Sequence, residues 1–378
     1  MVYILRDAQQ DNGNALIDVI GLVDNYKSLI INDQYYGQGY LEIKAPASEE
    51  NLKLLEPGNF VVREVDANTR LYQRVMAIQD ITIAEDAEEG RTITATGKSV
   101  GNDLNRRRVI KDRIFVEGNA ANNVVSIFNK AFRNIVNGSD GPNPERKIDN
   151  FLPIIIEGLN DSVRTETINT QLLGENIAEW TEEICRMYGW GWKMDIIDND
   201  YQFKIYLGKD RTINQSTLLP VIFSVEYDNL LDSKFNRYTS NYTNVAYIYG
   251  EDTNDGQSRK NTYYDPDNVT GFNRFERFVD SSMSTKEGKT TISDAQYYQN
   301  LKDLAKQEMS QIKRYEFSAT TDSDGIYKLS EDYNLGDIVS IKTGYGLSAT
   351  ARITEIIYSE DINGKKVVPV FEEWEVAE

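Results

Sequence analysis

The groups in this chain that could do chemistry are carboxylates, lysines, tyrosines and one thiol; its 378 residues include no histidine. That absence removes Ser-His-Asp and Cys-His triads, histidine-ligated zinc and the usual general base near neutral pH. Asp322-Ser323-Asp324-Gly325 resembles the opening of a calcium loop. A complete loop places a third side-chain oxygen before its glycine and a bidentate Glu at its end. Here the glycine comes too early and only Glu331 lies nearby, so a plain turn is expected. Asp195, Asp198 and Asp200 cluster in sequence, but Asp198-Asn199-Asp200 has the composition of a hairpin turn. A glycosidase needs two carboxylates facing one cleft from separate strand ends, and no pair stands out from the many acids. Cys185 lies among apolar residues at helical spacing and reads as a small core residue. No catalytic, cofactor-binding or metal-ligating residue is nominated, and the chain is expected not to be an enzyme.

Two further groups suit binding better than catalysis. Arg106-Arg107-Arg108 could hold a phosphate, but in an acidic chain it reads better as a partner for surplus acids at a domain or subunit boundary. Trp180, Trp190 and Trp192 could form a platform for sugars. Trp180 falls on the apolar side of a predicted helix and Trp190-Gly191-Trp192 leads into a strand, so core packing is expected for at least two of them.

The composition sets the frame for these residues. Hydrophobic residues make up 40% and charged residues 27%, as in ordinary globular proteins, and the formal net charge is −19. Such an acidic surface repels DNA and anionic membranes. It disfavours nucleic-acid binding and still permits a conduit to which DNA does not stick. No signal peptide and no run long enough to span a bilayer is legible. The single cysteine excludes an internal disulfide, and the 23 tyrosines with 8 prolines suit a β-rich protein with extensive interfaces or a sugar-binding one.

The elements read as a β-rich α+β chain in four parts. Residues 1–112 are mostly β, with strands at Tyr40–Ala45, Phe60–Val65, Gln73–Ile78 and Arg91–Thr96, and a short helix capped by Ser48. The acidic stretch Glu85–Gly90 reads as a solvated hairpin tip. Residues 113–220 form an α+β part with two amphipathic helices. The first carries Val124 to Val136 between Asn119 and Gly138, the second Ile177 to Tyr188 ahead of Gly189. Residues 221–250 and 315–378 are β again, and 251–314 is a polar insertion with one helix, marked by Leu301, Leu304, Ala305, Met309 and Ile312.

An internal repeat links the two β parts. Gly58-Asn59-Phe60-Val61 parallels Gly336-Asp337-Ile338-Val339, and Arg74-Val75-Met76-Ala77-Ile78 parallels Arg352-Ile353-Thr354-Glu355-Ile356, without a gap. Gly58 and Gly336 are expected in the turn entering a strand. Val61, Val339, Val75 and Ile353 are expected to face the interior, and Arg74 and Arg352 to point outward, toward a neighbouring barrel or solvent.

Several stretches resemble the tail-hub family of siphophages and related prophages. They are Leu54–Asn59 through Ile93–Gly97 to Leu104–Arg107; Tyr188–Trp192 with Gly208–Thr212; Phe223-Ser224 through Asn229-Leu230 to Tyr242–Val245; and Leu335–Val339. The resemblance implies two related β-barrel domains plus α+β insert domains. It also implies a homotrimer whose six barrels ring a channel, with the tail tube or a distal tail protein on one side and tip or fibre proteins on the other. DNA would pass without specific binding. The protein would belong to the virion tail tip or baseplate, after assembly in the bacterial host cytoplasm. Tail-associated lysins continue into a fibrous or peptidoglycan-cleaving region, whereas this chain ends at Glu378, so any lytic activity is expected to lie on another protein or to be absent. The competing reading is a carbohydrate-binding or polysaccharide-cleaving tail-tip protein.

Overall fold

The computed structural model describes residues 1–7, 17–66, 71–88, 90–102, 114–116, 155–157, 170–230, 232–252, 259–287, 290–312, 315–320, 326–346 and 348–376. Arg106-Arg107-Arg108, Asp322-Ser323-Asp324-Gly325 and the helix expected between Asn119 and Gly138 lie outside them.

Alternating apolar and polar residues give the N-terminal strands their two faces. β1 (Val2–Asp7) pairs with β2 (Ile17–Val23), and β3 (Ser28–Gln34) with β4 (Tyr40–Pro46). Helix α1 (Glu49–Leu54) starts where the Ser48 side chain accepts the Asn51 amide at 3.1 Å, the cap expected of it. It leads into β5 (Phe60–Val62). β6 (Glu64–Asp66) and β7 (Leu71–Gln73) interrupt the large sheet, which resumes at β8 (Met76–Asp86) and β9 (Gly90–Ser99). The interruption ends at Arg74, a non-glycine residue with φ 53°.

β10 (Ile114–Val116) pairs with β12 (Thr170–Leu172), and β11 (Ile155–Glu157) joins a five-stranded sheet built on β13 (Gly191–Ile197) and β14 (Asp200–Tyr206). The turn between β13 and β14 is Asp198-Asn199, with Asp198 at φ 55°, as its composition predicts. Helix α2 (Ile177–Tyr188) packs on this sheet. Asn176 caps its start by accepting the Ala178 amide at 3.0 Å, and Gly189 at φ 70° ends it. Its apolar side, with Trp180, Ile184 and Cys185, shares one core with Trp190, Trp192 and Phe203. All three tryptophans are therefore buried.

β15 (Asp210–Arg211), β16 (Ile222–Ser224) and β17 (Asp232–Arg237) return the chain to the large sheet. The polar insertion holds β18 (Val245–Asp252), β19 (Arg259–Tyr264), β20 (Glu276–Asp280), β21 (Lys286–Glu287), β22 (Thr290–Thr291) and helix α3 (Asp294–Ser310). β18 pairs with β19 and β20 instead of the large sheet, and Ala246 and Ile248 pack against Tyr297 and Leu301 of α3. β23 (Tyr315–Thr320), β24 (Ile338–Lys342), β25 (Ser348–Asp361) and β26 (Gly364–Val376) complete the chain.

The large sheet runs in the order β17-β23-β26-β25-β3-β4-β9-β8-β5-β1-β2, with β24 beside β25. It contains one five-stranded arrangement twice. β3-β4-β9-β8-β5 and β17-β23-β26-β25-β24 have the same spatial order and the same sequence order within each unit. Each unit has its own core, one around Ile31, Leu41, Val61 and Ile78, the other around Phe317, Val339, Ile353 and Phe371. The repeat expected from the sequence is thus present as two related units. Among the described strands the sheet stays open and closes into no barrel.

Candidate interaction surfaces

The turn that opens the repeat is the same object in both units. Gly58 and Gly336 sit at φ 95° and 94°, a region that disfavours any side chain. The Gly58 amide donates to the Ile78 carbonyl at 2.9 Å, and the Ile78 amide donates back to Asn59 at 2.9 Å. The Gly336 amide donates to Ile353 at 2.8 Å, and the Ile353 amide donates back to Asp337 at 2.9 Å. Val61, Val339 and Ile353 are buried in the cores of their own units, as expected; Val75 is buried instead in the other core, with Trp190, Trp192 and Phe203.

The gapless alignment of the second strands is corrected by these bonds. Ile78 matches Ile353, and Phe60 faces Ala77 where Ile338 faces Arg352. Arg352 therefore corresponds to Ala77, three residues beyond Arg74. The extra length lies in the β6–β7 excursion, which the second unit lacks. Arg352 does not reach solvent: its guanidinium donates to the Gly336 carbonyl at 2.9 Å and lies over the Tyr35 ring at 5.4 Å. It thus points into the seam between the two units. Arg74 is partly exposed and pairs with Asp33 at 3.3 Å.

Several buried polar contacts gather at that seam. Residues 355–361 of β25 pair with residues 28–34 of β3, joining the units edge to edge. Tyr35 plugs the end of the joint. Its amide donates to the Thr354 carbonyl at 2.8 Å, and its hydroxyl donates to the Gly189 carbonyl at 3.2 Å and accepts the Gly208 amide at 3.1 Å. A Cβ on Gly336 would lie 2.2 Å from its ring. Asp337 accepts the Lys209 amide at 2.7 Å, the Asn334 amide at 3.0 Å and the Arg211 Nε at 2.9 Å. Position 59 does comparable work in the first unit, where the Asn59 side chain donates to Leu54 at 2.9 Å.

Two concavities lie beside these elements. One of about 520 Å³ borders the seam between Asp33, Arg74, Lys193, Lys209 and Asp337. The other, about 740 Å³, lies between α2 and α3 and is bordered by Glu183, Glu308 and Arg277. Burial holds the Glu183 carboxyl above its usual range, against the lowering effect of a hydrogen bond from Gln307, while Glu308 is engaged by Arg277 at 2.5 Å. Asp195 is buried between Lys193 at 3.1 Å and Lys204 at 3.4 Å, while Asp198 lies in the turn and Asp200 opens β14. Burial raises the Cys185 thiol well above its ordinary value, as befits a core residue. Among the described residues no three Cys, Asp or Glu are gathered closely enough to hold a metal ion, and no helix is long and apolar enough to cross a membrane.

The remaining feature is an exposed strand edge. From Asp80 to Asp86, β8 pairs with β9 on one side, and no described strand lies on the other. The sequence reading stopped this strand at Ile78, although Ile81-Thr82-Ile83 continues the alternation and could have revealed it. At the opposite end of the sheet, β17 is the terminal strand.

The family described as Siphovirus ReqiPepy6 Gp37-like protein matches residues 14–371 of this sequence. The chain belongs to that family. Among solved structures, it is similar to a tail protein from Neisseria meningitidis MC58 at 9% identity and TM-score 0.54, covering 98% of this chain and 96% of that one. A 43 kDa tail protein of prophage MuSo2 from Shewanella oneidensis matches at 14% identity and TM-score 0.54, covering 98% and 97%. Prophage tail protein gp18 from Listeria monocytogenes EGD-e matches at 12% identity and TM-score 0.51, covering 98% and 94%. No curated protein sequence matches the chain. At these identities the likeness is one of fold, and it extends over 98% of the Gp37-like chain.

Proposed function

We propose that this Gp37-like protein is a non-catalytic structural hub of a phage tail. In this reading it is a homotrimer in which six related units ring an axial channel. The observation that carries it is the duplicated five-stranded unit, joined edge to edge within one chain. A chain with two such units lets three copies present six similar faces to a six-fold tube while keeping three-fold symmetry toward the tip. The tail-protein relatives of the same fold support the placement in a virion, with the tail tube or distal tail protein and the tip or fibre proteins as neighbours. The four-part division at residues 1–112, 113–220, 221–250 with 315–378, and 251–314 belongs to this proposal, with the two β parts as the repeated domains of the ring and β18, at the end of 221–250, counted with the insertion.

The charge of −19 suits a conduit along which DNA slides. In this reading Arg106-Arg107-Arg108 is expected off the lumen. The carbohydrate reading draws less support, because Trp180, Trp190 and Trp192 are buried and offer no stacking platform. Electron microscopy of the purified chain tests the proposal. A three-fold ring with an axial opening is expected; a compact particle without a channel, or a lumen ringed with Lys and Arg, would overturn it.

A further inference from the structure

We propose that the outer half of β8 pairs with β17 of a second copy of this chain, in the register that β25 and β3 use within one chain. The inference rests on the ring reading above and adds to it the residues that make the joint.

The two units are equivalent strand by strand. β8 has a register shift between Ile78 and Asp80, and β25 has one between Ile353 and Glu355. The hairpins that follow end at Asp86 opposite Gly90 and at Asp361 opposite Gly364. Asp80–Asp86 is therefore the counterpart of Glu355–Asp361. In the same way Ile31 faces Leu41, which faces Gly97, and Phe235 faces Phe317, which faces Phe371. β17 is therefore the counterpart of β3. Within one chain Glu355–Asp361 pairs antiparallel with β3. The equivalent joint between β8 and β17 is absent from the described strands of a single chain, and both of its halves are strand edges.

Exposure of apolar side chains marks the same place. Ile356 and Tyr358, beside the internal joint, are 1% and 7% exposed. Their counterparts Ile81 and Ile83 are 36% and 57% exposed, although their cross-strand partners Ala95 and Ile93 are fully buried. The two isoleucines thus sit at the rim of a core that stops where the second neighbour of β8 is due.

Carrying the internal register across places Ile83 opposite Phe235, Ala84 opposite Lys234, Ile81 opposite Arg237 and, at its far end, Asp86 opposite Asp232. The isoleucines then extend an apolar face, and Lys234 and Arg237 are cations on a strand that meets the acids Asp80, Glu85 and Asp86. Pairing β8 with a second β8 about Ile83 would instead set Asp80 opposite Asp86 twice with no cation on either strand segment, and like charges across a ladder are destabilising. Among the described strands each chain carries one edge of each of these two kinds, so the contact is head to tail and propagates until it closes.

Cysteine pairs test the joint, since directly opposed residues of an antiparallel ladder stand about 4.5–5.5 Å apart at Cα, within disulfide reach. The full-length chain carrying Ala84→Cys and Lys234→Cys, both exposed positions, is oxidised and run on a non-reducing denaturing gel. Ser359→Cys with Ile30→Cys, the matching internal pair, is the positive control, and Ala84→Cys with Asn236→Cys is the register control. A covalent trimer from the 84/234 pair alone is expected. A native trimer that forms no 84/234 link overturns this joint and leaves the ring reading standing. Links that build open ladders instead of closing at three support the joint and overturn the ring. A chain that is monomeric and unlinked at high concentration overturns both.

Discussion

Ile83 and Tyr358 hold the same place in the two halves of one sheet, yet Ile83 is 57% exposed and Tyr358 is 7% exposed. The difference comes from the neighbour: β25 has β3 alongside, and β8 has no second described strand there. The duplication therefore works at two levels. It repeats a local device, the Gly58 and Gly336 turns, and it leaves one of two equivalent edges available.

Both turns should resist a methyl group, since Gly58→Ala and Gly336→Ala each force a side chain into the left-handed region, which costs about 1–2 kcal/mol. Gly336→Ala also drives a Cβ into the Tyr35 ring, at 2.2 Å, and overpacking adds about 1–3 kcal/mol. Denaturant unfolding should therefore show Gly336→Ala losing more than the backbone cost alone. A loss of only about 1–2 kcal/mol would show that Tyr35 moves aside freely.

The glycine turns were legible because Gly followed by Asn or Asp before an alternating strand leaves few backbone options. The strand register was not. Arg74 and Arg352 align without a gap, but the β6–β7 excursion displaces the true match by three residues, and Arg74 itself adopts a positive φ that no non-glycine residue advertises. The caps at Ser48 and Asn176–Gly189 could be read from side-chain chemistry, since each satisfies a helix end locally. The parallel pairing of β18 with β20 depends on contacts remote in sequence and left no local signal. The candidate joint was half legible: Ile81-Thr82-Ile83 alternates, but which edge is open depends on the topology.

The corrected register predicts unequal arginines. Arg352 is buried and donates to Gly336 at 2.9 Å, so Arg352→Met should cost about 1–3 kcal/mol by stranding a buried acceptor. Arg74 holds Asp33 at a partly exposed site, where an ion pair is worth about 0–1 kcal/mol. Chemical denaturation of Arg352→Met and Arg74→Met checks the order, and a larger loss at Arg74 would show that the buried contact of Arg352 carries little of the stability.

Glu182 on α2 gives a pH signature. Burial, partly offset by Arg186, raises its carboxyl above the ordinary 4.5. The folded state then holds this proton more tightly than the unfolded state. The protonated form's contribution is full below the ordinary value and is lost as pH rises through the raised folded value. Glu182→Gln, which stays neutral, should be more stable than the parent at pH 7. The gap should close on acidification below about pH 4. Thermal melts across pH measure it, and a gap that widens in acid would contradict the sign.

Cys185 should be inert in the folded protein. Its thiol is buried and held well above its ordinary value, and the thiolate is the reactive form. Ellman titration should register it only after denaturant is added. Rapid reaction in native buffer would place α2 differently and would also compromise Cys185 as a silent background for cross-linking.

The exposed isoleucine offers the most selective test of the joint. Ile83 contributes little to the fold of a single chain because over half of its surface is open to solvent, and exposed substitutions usually change stability by less than about 0.5 kcal/mol. Ile83→Asp should therefore melt like the parent at concentrations where the chain is monomeric. In the joint the same side chain faces Phe235, and burying an isoleucine contributes about 1.5–3 kcal/mol. Its loss should weaken association by roughly 10- to 100-fold per interface, before the added acid is set among Glu85 and Asp86. Analytical ultracentrifugation over a concentration series reads both quantities on one sample. Ser233→Ala, facing Glu85 across the same register, removes little apolar surface and should leave association nearly unchanged. If Ile83→Asp assembles as tightly as the parent, the outer half of β8 lies outside the contact between copies, however the ring itself is built.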